Sequence, residues 1–204
     1  MYALDHSLVP DLTAGTVIYF LENDLIDGMS RFPETTERAK SAVRFLSGEH
    51  GSYGTEHEKA RSHEAYLRAA LAEFVSMEET LPRDLARANI IGAPIRLTNS
   101  PNPLLHIVRE LRHLEIHQRT SLMSHFSIKA LWGEARKPID FQVWYIDPIT
   151  VPAFKRLRNA KYYSDADIAD MLNWFEDAQK QWGISEIVLR AIKEFCKLII
   201  KQYE

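Results

Sequence analysis

The chain has 204 residues, a single cysteine and a formal net charge of −3. That length suits one domain, and the apolar content is enough for a core without disulfide staples. Cys196 alone cannot form an intrachain disulfide, which points to a reducing, cytoplasmic setting. The slightly acidic balance argues against a protein that coats nucleic acid through overall charge, and leaves room for a local basic cleft.

Residues 1–10 have no basic n-region and no apolar h-region, so no signal peptide is expected. No apolar run reaches membrane-spanning length, so no membrane partner is expected either. Residues 13 to about 29 predict a first helix, with Val17, Ile18, Phe20, Leu21 and Leu25 apolar among acids. Pro33 opens a second, from about 34 to 47, and Gly48 is placed to stop it. Residues 48–55 hold three glycines and read as a loop. A long third helix follows over 57–81, with Leu67, Ala70, Leu71, Phe74 and Leu81 on one face, and Pro82 is expected to end or kink it. Residues 89–99, with Gly92 and Pro94, look irregular.

Ser100-Pro101-Asn102-Pro103 offers a side-chain cap and prolines suited to a first helical turn. The fourth helix should run from there to about Phe126, burying Leu104, Ile107, Val108, Leu111, Leu114 and Leu122. Residues 141–146 alternate weakly. A lone strand would lack a partner, so the stretch around 138–150 is read as an extended connection. A short helix is expected within 150–163. Ser164 then caps a helix that buries Ile168, Met171, Leu172, Phe175 and Trp182 and stops at Gly183. Ser185 opens the last helix, with Ile187, Ala191, Ile192, Phe195, Leu198 and Ile199 inward. The sum is an all-α bundle of about six helices.

The fourth helix carries the residues with most chemistry. His106, Glu110, His113 and His117 recur at spacings of 4, 3 and 4, with Arg109 and Arg112 beside them. Three readings stay open. The stripe is a polar face that serves a partner or solvent. Or Glu110 and His113, a Glu-x-x-His pair, belong to a metal site, although no second such pair exists in the chain. Or the stripe cleaves RNA without metal. That reaction needs a base at the 2′-hydroxyl, a proton donor for the leaving 5′-oxygen and positive charge on the phosphate. Histidine suits the proton transfers and arginine's planar fork suits the phosphate.

A second basic patch holds Lys155, Arg156, Arg158 and Lys161, interleaved with Phe154, Tyr162 and Tyr163. It reads either as a platform for single-stranded RNA or as a solvated amphipathic helix whose aromatics enter the core. Cys196, between apolar neighbours on the last helix, reads as inert packing. The glycines at 48, 51 and 54 form no phosphate loop, because no Gly-Lys-Ser/Thr follows. His50, His57 and His63 are expected to face solvent.

Arg112-His113-Leu114-Glu115-Ile116-His117 resembles the Arg-x4-His signature of the HEPN superfamily, helical domains that include toxin and antiviral ribonucleases. The polar His113 after the arginine is typical of that family, as is a long helix before the motif. The resemblance implies a HEPN-like core over roughly 13–130 and a helical extension over roughly 150–204. It implies a cofactor-free, metal-independent endoribonuclease of toxin or phage-defence type, acting on RNA in the cleft of a homodimer. Arg112 would hold the scissile phosphate and His117 would act as general base or acid. His113 would orient the phosphate or assist, with Arg109 in support, and a neutralising antitoxin or defence partner would be its company. Arg119 stands where one toxin branch carries a tyrosine, so modification at that position is not expected. A non-catalytic helical module binding protein or nucleotide remains the main alternative.

Overall fold

The structure, a computed structural model, describes residues 1–11, 19–48, 55–117, 123–132 and 137–203, and for 115–117, 130–132, 137 and 139 the backbone alone. Among the described residues the chain order is α1 (Asn23–Gly28), α2 (Pro33–Gly48), α3 (Glu56–Arg87), α4 (Pro103–His117), β1 (Met123–Trp132), β2 (Lys137–Ile146), α5 (Val151–Phe154), α6 (Asp165–Trp182) and α7 (Ile184–Tyr203). The fold is mostly helical, as expected, with one two-stranded sheet that was not.

Helix α7 is the hub. It touches α1, α2, α3, α4, α6 and β2. Its residues Ile187, Val188, Ala191, Ile192, Phe195 and Ile199 are all buried, which is the pattern of a helix covered on several sides. Cys196 is buried among them and its thiol is pushed up to about 12 by burial, in keeping with inert packing. Ser185 lies inside α7 rather than before it, because the helix already starts at Ile184.

Helices α2 and α3 pair along their lengths and are tied at one end by a buried carboxylate. Asp84 Oδ1 accepts from the backbone N–H of Glu34 at 3.3 Å, and Oδ2 from that of Thr35 at 2.8 Å. Thr35 Oγ1 also donates to Oδ2 at 2.8 Å. Residues 34 and 35 supply two of the orphan donors of a helix start, so α3 caps α2 from across the pair. This explains why α3 runs through Pro82 instead of ending there. Leu81, Asp84 and Leu85 lie beyond or beside the proline in buried positions, and that packing outweighs the lost N–H. The helix ends instead at Arg87, and Asn89 just beyond it has a φ of 54°. Ile90 N–H donates to Leu85 O and Asn89 N–H to Ala86 O, the two bonds of a left-handed helix stop.

Other departures have equally local causes. Of the predicted first helix, 12–18 lie outside the described residues and 19–22 are not helical, so only Asn23–Gly28 forms one. The Gly-rich stretch at 49–54, with His50, also lies outside. Thr55 opens α3 with a reciprocal cap, its N–H donating to Glu58 Oε2 at 2.7 Å. His63 is buried rather than exposed, its ring stacked on Trp144 at 4.1 Å.

The fourth helix is described as far as His117, and Phe126, expected within it, lies in β1. β1 pairs antiparallel with β2, from Met123↔Ile146 to Trp132↔Lys137. The segment read as an unpartnered connection therefore has its partner just before it in the chain. The hairpin is fastened to the bundle by Gln179 of α6, whose Oε1 accepts from Ile146 N–H at 3.1 Å and whose Nε2 donates to Ile146 O at 3.0 Å. Gly183, with φ 79°, ends α6 under β2. A side chain there would put its Cβ 2.9 Å from Trp144 O, so the close approach requires glycine.

Candidate functional site

α4 starts as the sequence implies. Asn102 Oδ1 accepts from Leu104 N–H at 3.0 Å, and Ser100 Oγ accepts from Asn102 N–H at 3.1 Å. Leu104, Ile107, Val108, Leu111 and Leu114 are buried; Leu122 lies outside the described residues. The polar stripe does not face solvent along its length, however. His106 and Glu110 are as buried as the apolar face. α4 is covered on this side by the chain that follows α5.

That burial sorts the stripe into a structural part and an open part. His106 Nε2 lies 2.8 Å from Ser100 O and Nδ1 lies 3.1 Å from the Tyr163 hydroxyl. A carbonyl only accepts, so Nε2 carries the proton and Nδ1 accepts from Tyr163. Burial drives the His106 pKa down and the Tyr163 pKa up, which keeps both groups neutral in these roles. Tyr2 packs its ring against both, at 4.9 Å each. His106 is therefore a satisfied core histidine.

One turn on, the stripe meets the second basic patch. A cavity of about 570 Å³ is lined by Arg109, Glu110 and His113 of α4 and by Arg156, Leu157, Arg158, Asn159 and Tyr162 from the segment after α5. The two basic stretches that stand over 40 residues apart in sequence thus share one cavity. Arg156 and Arg158 are exposed and have no ion pair among the described residues. Tyr162 is 40% exposed, whereas Phe154 and Tyr163 are buried in the core. Of the three interleaved aromatics, only Tyr162 is exposed, with Lys161 over its ring and the Tyr2 ring 5.5 Å away.

Arg109 differs from the other arginines here. Its Nη1 donates to Glu110 Oε1 at 3.0 Å, and its Nε lies 3.6 Å from Glu78 Oε2. Flanked by two buried carboxylates, it organises the wall rather than offering an unspent charge. Glu110 Oε1 also accepts from Asn159 Nδ2 at 2.9 Å. Burial raises the Glu110 pKa, with Asn159 and Arg109 acting against it.

Lys155, Lys161 and Arg112 are not among the described lining residues. Lys155 is turned to Asp165 of α6 at 2.7 Å. Lys161 lies over the Tyr162 ring, 5.0 Å from its centre. Arg112 is half-buried and is not a lining residue; its Nε is buried with no hydrogen-bond partner among the described residues. His117 is the last described residue of α4, and its side chain lies outside the described part, as does Arg119. Sequence reasoning missed Asn159, which has no signal of its own: only the fold brings it to Glu110, 49 residues away.

Among the described residues no group of three or more His, Cys, Asp or Glu side chains could hold a metal ion. Nor is any described helix long and apolar enough to cross a membrane. Comparison with protein-family models, with curated proteins and with solved structures finds no match to this chain.

Proposed function

We propose that this chain is a metal-independent endoribonuclease that holds single-stranded RNA in the cavity between α4 and the segment after α5. One observation carries the reading. Arg156, Arg158 and His113, from basic stretches far apart in sequence, line one cavity with the exposed Tyr162. Two guanidinium groups with no ion pair among the described residues, beside an aromatic ring, suit a phosphate and its base. The Arg112-to-His117 resemblance supplies the chemistry.

In that chemistry the RNA 2′-oxygen forms a bond to the adjacent phosphorus as the bond to the 5′-oxygen breaks. The products are a 2′,3′-cyclic phosphate and a free 5′-hydroxyl. One group takes the proton from the 2′-hydroxyl and another gives one to the leaving oxygen, and His117 and His113 are the candidates. Arg112 offers a donor with no partner among the described residues, suited to a phosphate oxygen. As in the family it resembles, two copies of the chain would bring their motifs to one cleft, in the cytoplasm and under the control of an antitoxin or defence partner.

The test is cleavage of single-stranded RNA in excess chelator. Arg112→Ala and His117→Ala should each lower the rate by about 10²-fold or more. Arg156→Ala with Arg158→Ala should weaken RNA binding. Inert wild type, or equal cutting by all variants, would refute the catalytic assignment. A second reading, a nucleotide-binding module without catalysis, is favoured by the place of Arg112 off the cavity. It predicts RNA or nucleotide binding with no cleavage.

A further inference from the structure

The walls of the cavity are better satisfied than its most buried member. Glu110 is 1% exposed. Its Oε1 accepts from both Arg109 and Asn159, at 3.0 and 2.9 Å. Its Oε2 is buried and accepts from nothing among the described residues. Glu110 lines the cavity, and a buried carboxylate oxygen without a donor is costly, so a ligand donor reaching it from the cavity would satisfy it.

The other lining residues narrow the ligand. Arg156 and Arg158 are exposed and call for an anion. Tyr162 adds a partly exposed aromatic ring to the lining, which a flat ligand ring can pack against. Arg109 is held by Glu110 and Glu78, so the charge next to Glu110 is already balanced and does not demand a second anion there. A fitting ligand has a phosphate at one end, a flat ring between, and an N–H donor at the buried end. A cavity of about 570 Å³ has room for one such unit.

We propose that the cavity is a single-nucleotide subsite in which Glu110 Oε2 accepts a hydrogen bond from the exocyclic amine of a base while Arg156 and Arg158 hold the phosphate. The proposal rests on the RNA-binding reading above and adds base selectivity to it. Cytosine and adenine carry that amine where uracil and hypoxanthine carry a carbonyl, and a carbonyl facing Oε2 would set two acceptors against each other.

The experiment is titration calorimetry with cytidine against uridine 5′-monophosphate, and adenosine against inosine 5′-monophosphate. Wild type should bind the amine-bearing member of at least one pair about fivefold or more tightly, the weight of one buried hydrogen bond. In Glu110→Gln the amide oxygen remains with Arg109 and Asn159, which turns the amide nitrogen to the ligand. The preference should then reverse toward the carbonyl-bearing member. The wild-type comparison needs no variant, and circular dichroism establishes that Glu110→Gln is folded.

Equal affinities within both pairs for wild type, no binding of any mononucleotide, or an unchanged preference in folded Glu110→Gln would each overturn the subsite. Anisotropy with a mixed-sequence single-stranded RNA separates the two levels. RNA binding retained alongside any of those results removes the subsite alone. Loss of RNA binding as well removes the reading beneath it.

Discussion

The arginines of the cavity make unequal contributions to RNA affinity, and salt measures the inequality. A cation that neutralises a phosphate releases a counterion, and for single strands each such contact adds about 0.7 to the slope of log affinity against log salt. Arg156 and Arg158 are exposed and have no ion pair among the described residues, so each adds a full contact. Arg109, already held at 3.0 Å by Glu110 and near Glu78, adds little. Replacing Arg156 and Arg158 together by alanine should flatten the slope by about 1.4. Over the range from about 50 to 200 mM salt, wild type should lose about sevenfold more affinity than the double variant. Fluorescence anisotropy of a labelled RNA across a salt series is the assay. Both side chains are exposed, so the variant should keep the melting temperature of wild type. An unchanged slope in the double variant, or a flattening of about 0.7 in Arg109→Gln, would refute the assignment of charge.

Two further predictions concern the frame that holds the site. Asp84→Ala should cost about 3–5 kcal/mol, because it removes the cap of α2 and leaves Thr35 with buried donors, whereas Asp84→Asn, which keeps one acceptor, should cost about 1–2 kcal/mol. Denaturant midpoints measure both, and a loss below about 1 kcal/mol for the alanine variant would contradict the cross-helix cap. The folded-state pKa of His106 is lowered, by burial first, so the unfolded chain takes up its proton before the folded one does. Its contribution to stability is therefore whole above the unfolded value of about 6.5 and is lost as pH falls from there through the folded value. Denaturant midpoints at descending pH should show that fall in wild type and a smaller one in His106→Gln; equal falls would place the effect on other groups.

Much of the fold was legible because it is written locally. The caps at Asn102 and Ser164, the stop at Gly183 and the apolar faces of α3, α6 and α7 all depend on neighbours within a few residues. The errors came where distant packing decides. Pro82 looks like an end until Asp84 is seen to bond to Thr35, 49 residues before it. The hairpin had a readable signal that helix periodicity masked: Phe126, Ile128 and Ala130 alternate with polar residues, as do Ile139, Phe141 and Val143. At the site, the residue types were legible and their company was not. The stripe on α4 read as one face, but His106 is sealed by Tyr163, Arg109 is spent on carboxylates, and His113 reaches the cavity. Sequence spacing places side chains around a helix and says nothing of what covers each one.

The cap on α2 also sets an order of events. The donors of Glu34 and Thr35 await a carboxylate that emerges about 50 residues later, so no partial chain ending before α3's final turns can finish α2. During synthesis, then, the start of α2 waits on the far end of its neighbour, and closing that long loop completes both helices together. That closure involves α2 and α3 alone, and α4, which carries the cavity's inner wall, follows them in the chain.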